Sequence, residues 1–153
     1  MAVAVSPALP FNASLLDVPR PFIDPIHSLL EAVGVSSLVV PRPMQDHTIA
    51  VVLDAQRRGL GILQAGATSL MSAHFLIGRL SDIPHAASVV LVSTRAHSCV
   101  QPDDIELLAL LTATFEHAGI ALFDWVVMGR GGHYCPRSLT DATDPWATPS
   151  PCL

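Results

Sequence analysis

Lysine is absent from the sequence, and all eight basic residues are arginine. Thirteen carboxylates outweigh them and give the 153-residue chain a formal net charge of -5. Binding to nucleic-acid phosphates depends on clusters of Lys and Arg. The composition therefore disfavours a nucleic-acid partner. We attribute the missing lysine to a GC-rich genome, which favours Arg codons.

Cysteine is scarce as well, with Cys99, Cys135 and Cys152 as the three residues of this type. Three cysteines in a chain of this length do not make a disulfide framework, and an odd number leaves one thiol unpaired in an oxidising compartment. The cysteine usage therefore predicts a reducing, cytoplasmic location.

A long uncharged run extends over residues 59–78 and has the length of a membrane-spanning helix. Four glycines, together with Gln64 and His74, make it too polar and too interrupted for that role. We expect no membrane partner. Half of all residues are hydrophobic and 14% are charged, which is sufficient for one domain with a hydrophobic core.

Proline-rich segments divide the chain into three parts. Residues 1–21 and 138–153 are rich in proline and show little hydrophobic periodicity, so both are predicted to be arms. Residues 22–137 between them are predicted to form the domain.

Within the domain, helical and strand patterns alternate. Helices are predicted from Asp24-Pro25 to Gly34, from Ser69 to Asp82, and from Pro102 to Gly119. Residues 48–53 and 59–65 indicate a hairpin, and residues 87–92, 120–128 and 133–135 indicate further strands. Residues 35–40 are compatible with one more short strand. The alternation predicts an α/β domain with a mixed sheet.

Two short motifs of the form His-x-Cys are the first candidates for chemistry: His97 with Cys99, and His133 with Cys135. In an extended segment residues i and i+2 point the same way, so two such pairs can supply a Cys2His2 set for zinc. The spacing is not an established zinc signature. The simpler interpretation is a partly buried thiol at each strand end beside an exposed histidine.

Other polar residues have structural explanations. Arg130 lies in a Gly-Arg-Gly-Gly segment that precedes a strand rather than a helix, which indicates a turn and not a phosphate-binding loop. Asp103 and Asp104 complement the dipole of the helix that they begin. Asp124, between two aromatic residues of a strand, needs a partner, and we favour a structural hydrogen bond over catalysis.

One series of motifs resembles a known family. An Asp-Ile helix start at residues 104–105 leads to Gly-Ile at residues 119–120, then to an apolar strand containing Asp124 and to a glycine-rich turn at Gly129. This series is similar to the end of the RadC-like JAB/MPN domain. The segment VVLDAQRR, residues 51–58, resembles that family's first long strand and its turn.

The resemblance covers residues 48–139 and implies a cytidine-deaminase-like, layered α/β architecture. The family's metal site needs a His-x-His-Pro loop, a downstream Asp and a Glu that activates the metal-bound water. Asp104 matches the Asp, but residues 93–97 contain no His-x-His, Gln101 replaces an expected Ser, and residues 61–62 offer no carboxylate. Loss of both histidines and the Glu removes the metal ligands and the base together.

The resemblance therefore implies a degenerate, non-metal relative without a cofactor, acting as a binding or scaffolding module. We expect a homodimer or another protein partner. The family's association with DNA repair is not adopted, because the acidic chain gives it no electrostatic support.

Two alternatives remain open. In the first, the vacated site binds a small ligand through Arg95 and Asp104, with Arg95 facing an anion. In the second, the chain is a zinc-dependent hydrolase with a rebuilt metal site. The candidate ligands of that site are His97, Cys99, Asp104, His133 and Cys135.

Overall fold

A computed structural model describes residues 18–40, 45–96, 101–130 and 132–147. In this part of the chain three α-helices alternate with five strands, so the predicted α/β class with a mixed sheet is confirmed. In chain order the elements are α1 (Leu29–Ser36), β1 (His47–Leu53), β2 (Gly59–Ala65), α2 (Leu70–Leu80), β3 (Ser88–Thr94), α3 (Asp104–His117), β4 (Ala121–Gly129) and β5 (Gly132–Tyr134). Short 3-10 turns occupy Ser37–Val39, Pro136–Leu139 and Pro145–Ala147.

The five strands form one sheet in the order β2-β1-β3-β4-β5. Neighbouring strands are antiparallel except for β3 and β4, which are parallel and connected through α3. The predicted hairpin is β1–β2. Its turn is closed by Asp54, whose carboxylate accepts the backbone N–H groups of Gln56 and Arg58 at 2.9 Å each.

The sheet is covered on both faces. Helices α2 and α3 pack on one face, where Leu76, Leu111 and Phe115 meet the buried side chains of Leu91 and Trp125. Helix α1 packs on the opposite face. Because both faces are covered, all seven residues of β3 are buried, as its uncharged, β-branched sequence predicts. None of the described helices is both long and apolar enough to cross a membrane.

The first helix differs from the prediction at both ends. It begins at Leu29, where the Ser28 side chain accepts the N–H of Glu31, and not at Pro25. The predicted cap Asp24 instead binds Arg20. Gly34 does not end the helix, which continues to Ser36.

The prediction that residues 35–40 could form a short strand is therefore wrong. The end of α1 and the turn Ser37–Val39 replace it. The hydroxyl groups of Ser36 and Ser37 donate to the carbonyls of Val33 and Gly34, three residues earlier, at 2.8 and 2.7 Å. These local bonds satisfy carbonyls at the helix end and favour a turn over an extended strand.

A bulge in β4 sets the direction of two neighbouring side chains. Val89 pairs with Leu122, but Val90 pairs with Asp124, so Phe123 is an extra residue in the β4 register. In a regular strand adjacent side chains alternate between faces, and a bulge breaks that alternation. Phe123 therefore packs on the α1 face, where Asp124 also lies, while Leu122 packs with α2 and α3.

A chain of hydrogen bonds lies at the end of the sheet where β1 begins and β3 ends. The Trp125 indole N–H donates to Ser93 Oγ at 2.7 Å, and Ser93 contacts the Thr68 hydroxyl. Thr68 contacts the Thr48 hydroxyl at 2.6 Å, and Thr48 donates to the Gly66 carbonyl at 2.8 Å. An indole N–H can only donate and a carbonyl can only accept, so every hydroxyl donates toward Gly66.

Replacing Ser93 with alanine should destabilise the fold by about 1–3 kcal/mol, because the Trp125 N–H loses its acceptor in the core. Urea unfolding measures the change. The matched control is Ser81→Ala, since the exposed Ser81 hydroxyl donates to the local Gly78 carbonyl. Equal unfolding midpoints for the two variants would show that the chain of hydroxyls does not stabilise the core.

Candidate functional site

The two residues predicted to bind a small ligand form a buried ion pair. Arg95 follows the end of β3, and Asp104 begins α3. The Arg95 guanidinium donates two hydrogen bonds, from Nη1 to Asp104 Oδ2 at 2.9 Å and from Nη2 to Oδ1 at 2.6 Å. Asp104 is 1% exposed and Arg95 8%. A third donor, the Gln101 backbone N–H, reaches Asp104 Oδ2 at 3.0 Å.

This geometry gives the pair a structural task. Both oxygens of Asp104 accept hydrogen bonds from Arg95, and the positive charge of Arg95 faces this carboxylate. The bidentate arrangement is the strongest common form of a charged hydrogen bond. It connects the end of β3 to the start of α3 across residues 96–103. Ligand binding by Arg95 and Asp104 stays a prediction.

Arg95→Ala should cost about 3–5 kcal/mol of stability, because it leaves the Asp104 carboxylate buried without its main partner. The double variant Arg95→Met with Asp104→Leu should recover most of that loss, since no buried charge remains. Urea unfolding of the single and double variants measures the coupling.

The control for this cycle is Arg20→Ala, at the exposed pair with Asp24, which should leave the unfolding midpoint unchanged. A pair maintained for an external ligand rather than for the fold would give a different result. In that case Arg95→Ala would leave the ligand-free protein as stable as the wild type.

Asp124 is the centre of a second buried cluster. Its carboxylate accepts the Trp146 indole N–H at 2.7 Å, two N–H groups of Arg137 at 3.2 Å each, and the Trp125 backbone N–H at 2.8 Å. Trp146 also packs edge-to-face on Phe123, with ring centroids 4.6 Å apart. The partner that the sequence required for Asp124 is therefore present, and it comes from the end of the chain.

The predicted C-terminal arm contributes to this cluster. Trp146 lies within the segment 138–153, and its ring packs against the buried residues of the α1 face. Arg137, at the end of the predicted domain, binds the same carboxylate as Trp146. The signal available in the sequence was a tryptophan in an otherwise polar segment, but nothing there indicated Asp124 as its partner.

Cys135 has the properties of a structural thiol. Burial, followed by the negative charge of Asp124, raises the pKa of Cys135 to about 12. Zinc binds the thiolate form of cysteine, so this environment opposes metal binding. His133, two residues before Cys135, lies on β5.

The described residues do not fit the metal site of the JAB/MPN family. No group of three or more potential His, Cys, Asp or Glu ligands occurs among them. Asp104 is engaged by Arg95, and Cys135 is held as a neutral thiol. His97 and Cys99 lie outside the described residues, so a rebuilt zinc site stays a prediction.

Cys135 should react with a thiol reagent at least about tenfold more slowly at pH 8 in the native protein than after unfolding, because burial raises its pKa to about 12 and lowers the thiolate fraction. The variant Cys99→Ser with Cys152→Ser leaves Cys135 as the single reactive group. The same variant unfolded in urea supplies the reference rate. Similar rates in both states would contradict the raised pKa.

An exposed apolar surface lies beside β2, the edge strand of the sheet. On α2 the side chains of Met71 and Phe75, one helical turn apart, are 82% and 55% exposed. Between α2 and the end of β2 lies an open groove of about 490 Å³. It is lined by residues 64–67 and by Ser69, Met71, Ser72 and Phe75.

We call residues 60–67, with the side chains of Met71 and Phe75, the β2–α2 face. The sequence predicted α2 correctly but gave no sign that these two side chains point outward. The sequence feature that could have indicated this face is the uncharged run at residues 59–78, which contains all of its residues.

The sequence matches no protein-family model and no curated protein.

Proposed function

We propose that this chain is a cytoplasmic, noncatalytic protein-binding module with a degenerate JAB/MPN-type fold and no cofactor. The order of elements supports the fold assignment. From β1 to β5 the chain runs strand, strand, helix, strand, helix, strand, strand, with α3 and β4 in the segment 104–129, where the resemblance is most specific.

The pairing of the two buried carboxylates within the protein supports a noncatalytic role. Asp104, the one position that matches a metal ligand of the family, binds Arg95 through both oxygens. Asp124 accepts hydrogen bonds from Arg137 and Trp146. Each carboxylate joins two segments of the fold, so both are used within the protein, whereas a hydrolase would direct such groups to its substrate.

The observation that carries the proposal is the exposure of Met71 and Phe75 beside an uncharged strand edge. Isolated apolar side chains on a surface are ordinary, but a contiguous apolar patch marks a contact surface. Methionine and aromatic residues are enriched in protein interfaces. The β2–α2 face is therefore the binding surface in this proposal.

A photoreactive phenylalanine analogue placed at position 75 should form crosslinks with a protein in cells that naturally contain this chain. The readout is an adduct of higher mass on a denaturing gel. The matched control carries the same analogue at Leu30, which is 62% exposed on α1, across the sheet from α2.

Crosslinks at position 75 but not at position 30 would support binding through the β2–α2 face. No protein adduct at position 75, or equal adducts at both positions, would contradict the proposed function.

A further inference from the structure

We infer that the β2–α2 face binds a second copy of this chain, through antiparallel pairing of the two β2 strands. The inference rests on the proposed function and names its partner. Three features of the structure support it: an edge strand with no described pairing partner on its outer side, the position of α2 beside that edge, and the distribution of charge.

Strand β2 is at the edge of the sheet, and no described residue pairs with its outer side over residues 60–65. At its start the Phe22 N–H donates to the Gly59 carbonyl at 2.9 Å, which is the last backbone hydrogen bond to this side of β2 among the described residues. Edge strands present unpaired backbone groups and are commonly protected by charged residues, proline or bulges. The sequence of residues 60–65, LGILQA, contains no charge and no proline.

The register of β2 with β1 has its irregularity at the Gly59 end, between Val52 and Leu53 of β1. From Gly61 to Ala65 the pairing is regular. A regular strand directs the backbone N–H and C=O groups of alternate residues away from its neighbour. This stretch therefore offers a straight row of donors and acceptors to an incoming strand.

The position of α2 makes the contact larger than a strand pair. Antiparallel pairing of two identical edge strands places a two-fold axis perpendicular to the sheet, so both copies of α2 lie on the same side of one continuous sheet. Met71 and Phe75 of one copy then face the same side chains of the other. The two exposed side chains would thus be buried in the same step that pairs the strands.

The charge distribution favours a second copy over a partner of different charge. In an isologous contact, residues near the two-fold axis lie close to their own copies, so a charge there would meet a like charge. The chain carries a net charge of -5, yet residues 59–78, between Arg58 and Arg79, contain none. The face therefore adds no repulsion between charged side chains when two copies of this acidic molecule approach through it. It offers no charge by which a strongly basic or acidic partner would be selected.

The test is the mass of the full chain in solution, measured by light scattering and sedimentation over a range of concentrations. We expect a species of twice the 16.2 kDa chain mass. Phe75→Glu should weaken the dimer at least about tenfold, because it places two carboxylates near the axis and removes the buried ring. Leu30→Glu adds the same charge on the other side of the sheet and should leave the dimer unchanged.

Hydrogen exchange distinguishes strand pairing from other contacts. In the dimer, the outward amides of residues 60–65 should exchange slowly, and in Phe75→Glu they should exchange at least about tenfold faster, as unpaired edge amides do. Met71→Glu should have the same effect. Because Met71 is more exposed than Phe75, this second variant distinguishes loss of the dimer from a folding defect caused by the change at position 75.

A monomeric wild-type chain at all concentrations would overturn the inference. So would a dimer that tolerates both substitutions, or one whose residues 60–65 remain unprotected. The dimer and the proposed binding function are tested independently of each other. A monomer that crosslinks to a different protein at position 75 keeps the binding function with another partner, whereas a monomer without adducts contradicts both.

Discussion

Burial of the two central strands on both faces is the constraint on which the rest of the structure depends. Every residue of β3 and all but the first of β1 are buried, so each face of the sheet needs a cover. Helices α2 and α3 supply one cover. The opposite face has α1, which is only eight residues long, and the chain completes that cover with Trp146 from its C-terminal segment.

This second cover explains why a carboxylate lies within an apolar strand. The bulge at Phe123 directs both Phe123 and Asp124 to the α1 face, where an aromatic ring and an acceptor are then available side by side. Trp146 uses both, with its ring on Phe123 and its N–H on Asp124. The Arg57 guanidinium also lies over the Phe123 ring, 4.7 Å from its centroid. A hairpin turn, a strand and the C-terminal segment are therefore joined at one place.

Much of the fold follows from local patterns in the sequence. The strands are predicted within about two residues, because a run of apolar, β-branched residues between turn residues has few other solutions. Residues 59–65 match β2 at both ends. The errors lie where polar side chains decide locally. Ser28 rather than Asp24 caps α1, because Asp24 binds Arg20 instead, and the hydroxyls of Ser36 and Ser37 replace a possible strand by a turn.

The candidate site was much less predictable, since its residues acquire their roles from partners that lie nine or more residues away along the chain. Arg95 and Asp104 were each recognised, but as ligand-binding groups, and their mutual ion pair depends on the path of the residues between them. A buried Asp124 needs a partner on general grounds. That Arg137 and Trp146 are its partners follows only from the bulge in β4 and from the position of the C-terminal segment against that strand. A motif specifies residue types, whereas the pairing of buried charges is a property of the folded chain.

The uncharged run 59–78 has a different meaning once its residues are placed. As a sequence it has the length of a membrane span, but too many glycines and polar groups for one. In the structure it supplies an edge strand and an amphipathic helix, and burial accounts for only part of its apolar character, since Ala73 and Leu76 face the core while Met71 and Phe75 face solvent. The fold itself would tolerate charge at those two positions and along the outer edge of β2. Absence of charge at exposed positions therefore calls for a reason outside the single chain, and pairing with an identical surface, where a charge near the two-fold axis would meet its own copy, supplies one.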